Sequence, residues 1–208
     1  MTGRFITVEG GEGAGKTTLS AFMREFLEQA GRRVILTREP GGTPLSEEIR
    51  DLLLSHRHDG MTLAAETLLM FAARAEHVEK VIRPALATGC WVLCDRFTDA
   101  TYAYQGGGRG LNPERIAVLE KWAQGELRPD WTLLLDLPVT VGLTRAGKRS
   151  VADRFEREET AFFERVRAAY LEQASRNPGR YWVVNADRPI NAVRMDVEHL
   201  LTDWLESR

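Results

Sequence analysis

The chain has little cysteine: Cys90 and Cys94 are the only two among 208 residues, four apart in an apolar run. That spacing fits neither a CxxC redox pair nor a disulfide framework, so both are expected as core residues in a reducing compartment. Histidine is scarce too, with four in all, and His56 and His58 in a polar loop show no ligand spacing with cysteine or carboxylate. A structural zinc is therefore not expected. There is no run of about 18 apolar residues, and Glu9 interrupts the first apolar stretch before a signal-like segment forms. The expectation is a cytoplasmic chain with no membrane partner. Net charge is also nearly missing, since 28 Lys+Arg against 30 Asp+Glu leaves -2. Nothing global attracts a polyanion such as DNA, so any phosphate binding must come from local clusters. Internal repeats and low-complexity linkers are absent.

What is present suits one compact domain over residues 1–208, 43% hydrophobic and large enough to bury a core and carry a cleft. Short apolar runs at 5–8, 34–37, 91–94, 132–137 and 182–184 alternate with stretches of helical period. This pattern predicts an α/β fold, a five-stranded parallel sheet flanked by helices on both faces. Leu19, Phe22, Met23, Phe26 and Leu27 mark the first helix, which Gly31 is placed to end. Further helices are read from Leu45, Ile49, Leu52 and Leu53, across 63–88 with a break near Pro84, and across 116–122. Two more follow, one from Phe162, Phe163, Val166 and Tyr170 and one from Val193, Val197, Leu200, Leu201 and Trp204. Residues 142–158 read as the least regular segment, Arg- and Lys-rich and poor in large apolar side chains, which makes them the candidate mobile lid.

Gly10-Gly11-Glu12-Gly13-Ala14-Gly15-Lys16-Thr17 fits GxxxxGK[ST], directly after a predicted strand and before a predicted helix. Glycines let the backbone curl so that successive N–H groups point at phosphate oxygens, and the helix N-terminus adds its positive dipole end. Lys16 is expected to neutralise the β- and γ-phosphates of a bound nucleotide as charge shifts in transfer, and the Thr17 hydroxyl to ligate Mg²⁺. The spacing differs from the dinucleotide GxGxxG pattern, and the guanine-reading NKxD pattern is absent.

A P-loop by itself leaves ATPases, GTPase switches and small-molecule kinases open. Asp95-Arg96-Phe97 stands at the carboxyl end of the third strand, where ligands of open α/β sheets bind. A carboxylate there can hold the Mg²⁺ shell or orient the attacking oxygen, and the arginine can grip a second phosphate. Asp136 rivals Asp95 for the metal-facing position; Asp95 is preferred because an arginine follows it. Arg38-Glu39-Pro40-Gly41-Gly42-Thr43 follows the second strand, and Glu39 is a candidate for orienting an acceptor or bracing nearby arginines, with a plain loop as the other reading.

These blocks, with Glu9, Thr18, Phe71-Ala72-Ala73-Arg74-Ala75-Glu76-His77 and Tyr102-Ala103-Tyr104-Gln105-Gly106-Gly107-Gly108-Arg109-Gly110, resemble the bacterial thymidylate kinase family in order and combination. The resemblance implies a P-loop nucleoside-monophosphate kinase fold and phosphoryl transfer from ATP-Mg²⁺ to dTMP by a homodimer. It implies that Phe71 stacks on thymine, Arg74 hydrogen-bonds its carbonyl edge, and Arg38 and Arg96 hold the acceptor phosphate. Thr101 and Gln105 fall where the family contacts base and sugar, and Tyr104, read with the glycines after it as a loop, where a ring crowds a 2′-hydroxyl. The P-loop carries no arginine, so the lid-arginine subtype is the better match, with Arg149 the first choice for the catalytic arginine and Arg145 the second; Lys148 lies between them. Glu12 is expected to contact the acceptor sugar or a lid arginine. The competing readings are a deoxynucleoside kinase, which has no need of an Arg38, Arg74 and Arg96 cluster, and a regulatory nucleotide switch, which has no need of an acceptor pocket.

Overall fold

The computed structural model describes residues 3–55, 60–147, 154–155 and 158–206. Five strands, β1 (Phe5–Gly10), β2 (Val34–Arg38), β3 (Trp91–Asp95), β4 (Trp131–Asp136) and β5 (Tyr181–Asn185), form one parallel sheet in the order β2-β3-β1-β4-β5. All five lie within a residue or two of the runs expected from the sequence. The central strands are apolar on both faces because helices cover both. Residues alternate across the sheet: Ile6, Val8, Leu133 and Leu135 pack on one side with Leu19, Met23 and Leu27 of α1 (Lys16–Gln29) and with Val193, Val197 and Leu201 of α9 (Ile190–Glu206). Phe5, Val92 and Cys94 face the other side with Val78, Ile82 and Phe97, which places Cys94 in the expected core.

The helices between are α2 (Pro44–Leu54), α3 (Leu63–His77), α4 (Arg83–Ala87), α5 (Thr98–Thr101), α6 (Pro113–Gln124), α7 (Val139–Ala146) and α8 (Thr160–Arg176). Their starts follow local chemistry. Thr43 accepts from the Ser46 N–H at 3.1 Å with Pro44 behind it, and Asn112 accepts from the Glu114 N–H at 2.8 Å with Pro113 behind it. Gly31, at φ 77, ends α1 as expected.

Three expectations need correction. The helix over 63–88 does not break at Pro84; a π-helical turn, Val78–Ile82, joins α3 to α4 just ahead of the proline, which has no N–H for the ladder. The glycine-rich stretch after Tyr104 is not a loop but a π-helical segment, Tyr102–Gly108, packed on α8. Its glycines allow that approach, since a Cβ on Gly107 would fall 2.5 Å from the Ala169 Cβ and one on Gly108 2.5 Å from the Phe162 ring. The segment 142–158 is not irregular at its start, because α7 runs to Ala146. The remainder of that segment, apart from Gly147, Arg154, Phe155 and Glu158, lies outside the described residues, as does Arg149. No helix among the described residues is long and apolar enough to cross a membrane.

Candidate active site

Parallel pairing brings every strand's carboxyl end to one edge of the sheet. Val8 and Arg38 both pair with Asp95, so the P-loop, the Asp95-Arg96 turn and the Glu39 loop open side by side. Between them lies a cleft of about 390 Å³ whose floor carries Lys16, Thr17, Asp95 and Arg96 and whose far wall carries Arg74 and Tyr104. The expected donor half and the expected acceptor half thus share one cavity.

Gly15 adopts φ 91 and α1 starts at Lys16. The Lys16 ammonium folds back to donate to the carbonyls of Gly11 at 2.8 Å and Gly10 at 3.1 Å. Burial, then the Arg96 guanidinium nearby, holds its pKa below the ordinary lysine value, so an arriving phosphate meets a cation already stripped of water. Helix α7 braces the loop from behind: a Cβ on Gly13 would fall 2.0 Å from the Gly142 carbonyl oxygen, and one on Gly142 2.4 Å from that of Glu12. Gly142, first read as the start of the lid, is part of the wall that shapes the phosphate cradle. Thr18 points to solvent and does not line the cleft.

The Thr17 hydroxyl stands 3.5 Å from Asp95 Oδ2, while Asp95 Oδ1 is buried with no hydrogen-bond partner. A hydroxyl and a carboxylate left this loosely joined fit Mg²⁺, which takes few protein oxygens and completes its shell with substrate phosphates and water. The rival Asp136 is already committed: Arg167 grips it in fork fashion, Nε to Oδ1 at 2.7 Å and Nη2 to Oδ2 at 2.9 Å.

Arg96 takes the left-handed backbone, φ 70, and is the only described non-glycine residue to do so. Such a conformation costs about 1–3 kcal/mol and persists where the surroundings over-determine it. Its N–H donates to the Val8 carbonyl at 3.0 Å, its guanidinium reaches Glu12 Oε1 at 2.6 Å, and it lies 4.6 Å over the Tyr104 ring. The Tyr104 hydroxyl donates to the same Glu12 oxygen at 2.8 Å. Burial pushes the Glu12 carboxyl up, but Arg96 and Lys16 outweigh it and hold the group ionised, at about 2. Among the described residues the partners of Glu12 are Arg96 and Tyr104, within the site itself.

On the acceptor side, Glu39 braces an arginine, one of the two roles read for it. Its Oε2 accepts from Arg74 Nε at 2.6 Å, and it is 4% exposed. Arg74 Nη2 also donates to Thr101 Oγ1 at 3.1 Å and to the Phe97 carbonyl at 3.2 Å, while Nη1 is buried without a partner. Phe71 lies beneath this guanidinium, its ring 4.8 Å away, and is outside the cleft lining, where Met70 stands instead. Gln105 lines the cleft but its amide donates to Glu66 at 2.8 Å. Arg38, at the cleft mouth, pairs with Glu47 at 2.8 Å and is half exposed. Arg145 is turned away to the carbonyl of Ala186 at 2.8 Å, with Asp187 at 3.5 Å, and does not line the cleft.

Two buried carboxylates escaped the sequence reading. Glu66 gathers Gln105, Arg109 at 2.8 Å and Arg154 at 2.7 Å. Nothing in its local sequence separates it from any polar helix residue. Glu9 accepts from the Phe97 N–H at 2.7 Å and from the Tyr170 hydroxyl at 2.8 Å. Its signal was present, a carboxylate inside an otherwise apolar strand.

Burial, followed by Asp99, pushes the Glu9 carboxyl up from about 4.5 to about 8. Between those values the folded chain holds a proton that the unfolded chain releases, so Glu9 subtracts stability as pH climbs through the window. Glu9→Gln, which cannot ionise, is therefore expected to gain on the parent chain by about 3 °C or more in Tm as pH rises from 5 to 8.5. A thermal melt series across that range checks it; a Tm difference independent of pH refutes it.

The comparisons with known proteins agree with this geometry. The thymidylate kinase family model matches residues 8–197. A thymidylate kinase of Pseudomonas entomophila is 59% identical over 206 residues, covering 99% of this chain and 98% of its own length. One of Ectopseudomonas mendocina is 59% identical over 207 residues, covering 100% and 99%. Among solved structures, the thymidylate kinase of Ehrlichia chaffeensis superposes with a TM-score of 0.79 at 35% identity, covering 97% of this chain and 99% of that one. With a P-loop, an Asp-Arg turn and the buried Arg74 lining one cleft, and with relatives matched over 97% or more of both chains, the chain belongs to the thymidylate kinase family.

Proposed function

We propose that the protein transfers the γ-phosphoryl group of ATP to the phosphate of dTMP, giving dTDP and ADP. The observation that carries this reading is the single cleft in which the P-loop faces Arg74, Tyr104 and Gln105 across Asp95 and Arg96. Lys16 and the loop N–H groups hold the donor phosphates, and Arg96 neutralises charge between donor and acceptor during in-line transfer. Thr17 and Asp95 would hold Mg²⁺, which supplies further neutralisation of the β- and γ-phosphates when bound. The unpartnered Arg74 Nη1 suits a carbonyl oxygen of the pyrimidine, because a buried donor without an acceptor costs about 1–3 kcal/mol. The Tyr104 ring, held by Glu12 and by contacts with Phe155, Phe162 and Tyr170, supports a wall against a 2′-hydroxyl.

Release of ADP is the direct test, with ATP and Mg²⁺ against dTMP, dUMP, dCMP, AMP, thymidine and no acceptor. Release dependent on dTMP and at least tenfold slower with thymidine is expected. Preference for thymidine, or equal release without acceptor, overturns the reading in favour of a deoxynucleoside kinase or a nucleotide switch.

A homodimer is supported by Leu68 on α3 and Val118 and Trp122 on α6, which are 54%, 69% and 86% exposed on helices packed side by side. Light scattering of the parent chain and of Trp122→Glu distinguishes dimer from monomer. The unbridged, buried Cys90 and Cys94 support a reducing, cytoplasmic setting.

A further inference from the structure

We propose that His77, acting through Glu39, is a positioning residue for Arg74 and thereby sets how strongly the cleft prefers a base with a carbonyl at its outer edge; this rests on the acceptor reading above. His77 closes α3, has no exposed surface and does not line the cleft. Its Nδ1 lies 3.0 Å from Glu39 Oε1, and its Nε2 lies 2.7 Å from the Thr37 hydroxyl. The carboxylate can only accept, so Nδ1 carries the ring proton; in the neutral ring Nε2 then accepts from Thr37. The result is one chain, Thr37 to His77 to Glu39 to Arg74, buried from His77 onward.

The chain ends on a guanidinium whose other directions are already taken. Glu39 holds Nε, Thr101 and the Phe97 carbonyl hold Nη2, and the rings of Phe71 and Phe97 lie 4.8 Å and 5.2 Å from its carbon. Only Nη1 is left for a ligand. Its direction follows from the plane of the Glu39 carboxylate, because Nε and Nη1 belong to one rigid plane. That carboxylate plane is in turn fixed by two donors, Arg74 on one oxygen and His77 on the other. Without the histidine proton, Oε1 becomes a buried acceptor with no donor, and the carboxylate rotates to recover one.

The backbone is built around the ring. Gly42 sits at φ 89, and a Cβ there would fall 2.5 Å from His77 Cδ2 and 2.6 Å from Nε2. The loop that carries Glu39 therefore lies flush against the imidazole, with no room for a larger group between them. A side chain in this position with no hydrogen bonds to make would need only volume; this one uses both nitrogens.

The chemistry predicts which substrates feel the change. Thymine and uracil present a carbonyl oxygen at position 4, where cytosine presents an amino group that donates. A misdirected Arg74 Nη1 weakens the first two and leaves the third untouched. Removing His77 should therefore narrow the preference for dTMP over dCMP without altering that for dTMP over dUMP.

The test compares steady-state ADP release by the parent chain, His77→Leu, His77→Asn and Thr37→Val with dTMP, dUMP and dCMP. Leucine removes both nitrogens, whereas asparagine can keep a donor near the Nδ1 position. His77→Leu is expected to raise KM for dTMP and dUMP about tenfold with kcat within about twofold. KM for dCMP should stay the same, His77→Asn should recover most of the loss, and Thr37→Val should shift KM in the same direction by a smaller factor. An unchanged KM for dTMP in His77→Leu overturns the inference. So does an equal loss for all three acceptors, or a His77→Asn variant no better than leucine. If His77→Leu fails to fold, Thr37→Val and His77→Asn decide alone: parental KM for dTMP in both overturns the inference. A parent chain inactive on dTMP instead overturns the acceptor reading and this inference with it.

Discussion

Arg96→Ala is expected to lower kcat/KM for dTMP on the order of 10³-fold, the scale seen when one preorganised charge-stabilising group is removed. The effect has two parts. The cleft loses its central cation, placed between the P-loop and the acceptor wall by the left-handed turn at φ 70. It also keeps Glu12, whose carboxyl is held at about 2 by Arg96 and Lys16 against the pull of burial. Without the guanidinium that carboxylate is left to Lys16, the cation of the anion cradle, and opposes the phosphates there. The double variant Glu12→Gln with Arg96→Ala should therefore recover about tenfold over Arg96→Ala alone, a coupling that a thermodynamic cycle reads directly. Initial rates of the four proteins suffice. A loss below tenfold in Arg96→Ala, or no recovery in the double variant, refutes the charge argument.

Glu66→Ala is expected to destabilise the protein by about 3–5 kcal/mol, because it takes the buried carboxylate from Arg154 and leaves Arg109 with only the more exposed Glu158, 2.9 Å away. Glu66 is 1% exposed, whereas Arg109 and Arg154 are 19% and 11% exposed. Neither arginine can recover full hydration without moving off the Phe155 ring, which lies 5.4 Å from the guanidinium carbon of Arg109 and 4.5 Å from that of Arg154. Thermal melts should record a fall of about 6–20 °C. Because Gln105 and Phe155 line the cleft, KM for dTMP should rise as well. Glu66→Gln keeps an acceptor but offers no charge, so it should fall between the two. A Glu66→Ala chain within about 1 kcal/mol of the parent in a denaturant melt contradicts the burial argument.

Both residues bear on how far the site was legible from the sequence. Lys16 and Thr17 were readable as candidates because their placement depends on local chain geometry: a strand, a curled glycine loop and a helix start, all within a dozen residues. Asp95 was readable as a candidate for the same reason, since a carboxylate ending a parallel strand must lie at the ligand edge. The choice between Asp95 and Asp136 was not a local matter. It turned on Arg167, 31 residues from Asp136, whose fork occupies both carboxylate oxygens. Glu12 shows the same division. Its presence in an anion-binding loop called for a partner, but Arg96 is 84 residues away and becomes that partner only once β1 and β3 pair.

The glycines divide in the same way. Gly13 and Gly15, read as phosphate-loop residues, take the positive φ of 67 and 91 that a curled loop requires. Gly107 and Gly108 were taken for loop residues, although they serve packing: their missing side chains let a π-helical segment lie on α8. Glycine reports that a Cβ is not tolerated, without saying whether backbone torsion, a ligand or a neighbouring helix excludes it.

By itself, the sequence determined the elements that repeat locally: the five apolar strands, the main amphipathic helices, the phosphate loop and the Asp95-Arg96 edge. Periodicity and short-range sterics operate over a few residues, so they are written in adjacent letters. Only the tertiary structure decided which charges are spent on one another and which remain for ligands. Arg38 and Arg145 proved to be paired outward, Glu66 and Glu9 proved to be buried hubs, and Arg74 was left with one open donor at the end of the Thr37-His77-Glu39 chain. A charge's partner is whatever the fold brings within about 3 Å, and the desolvation that gives the pair its strength arises only when the layers close over it.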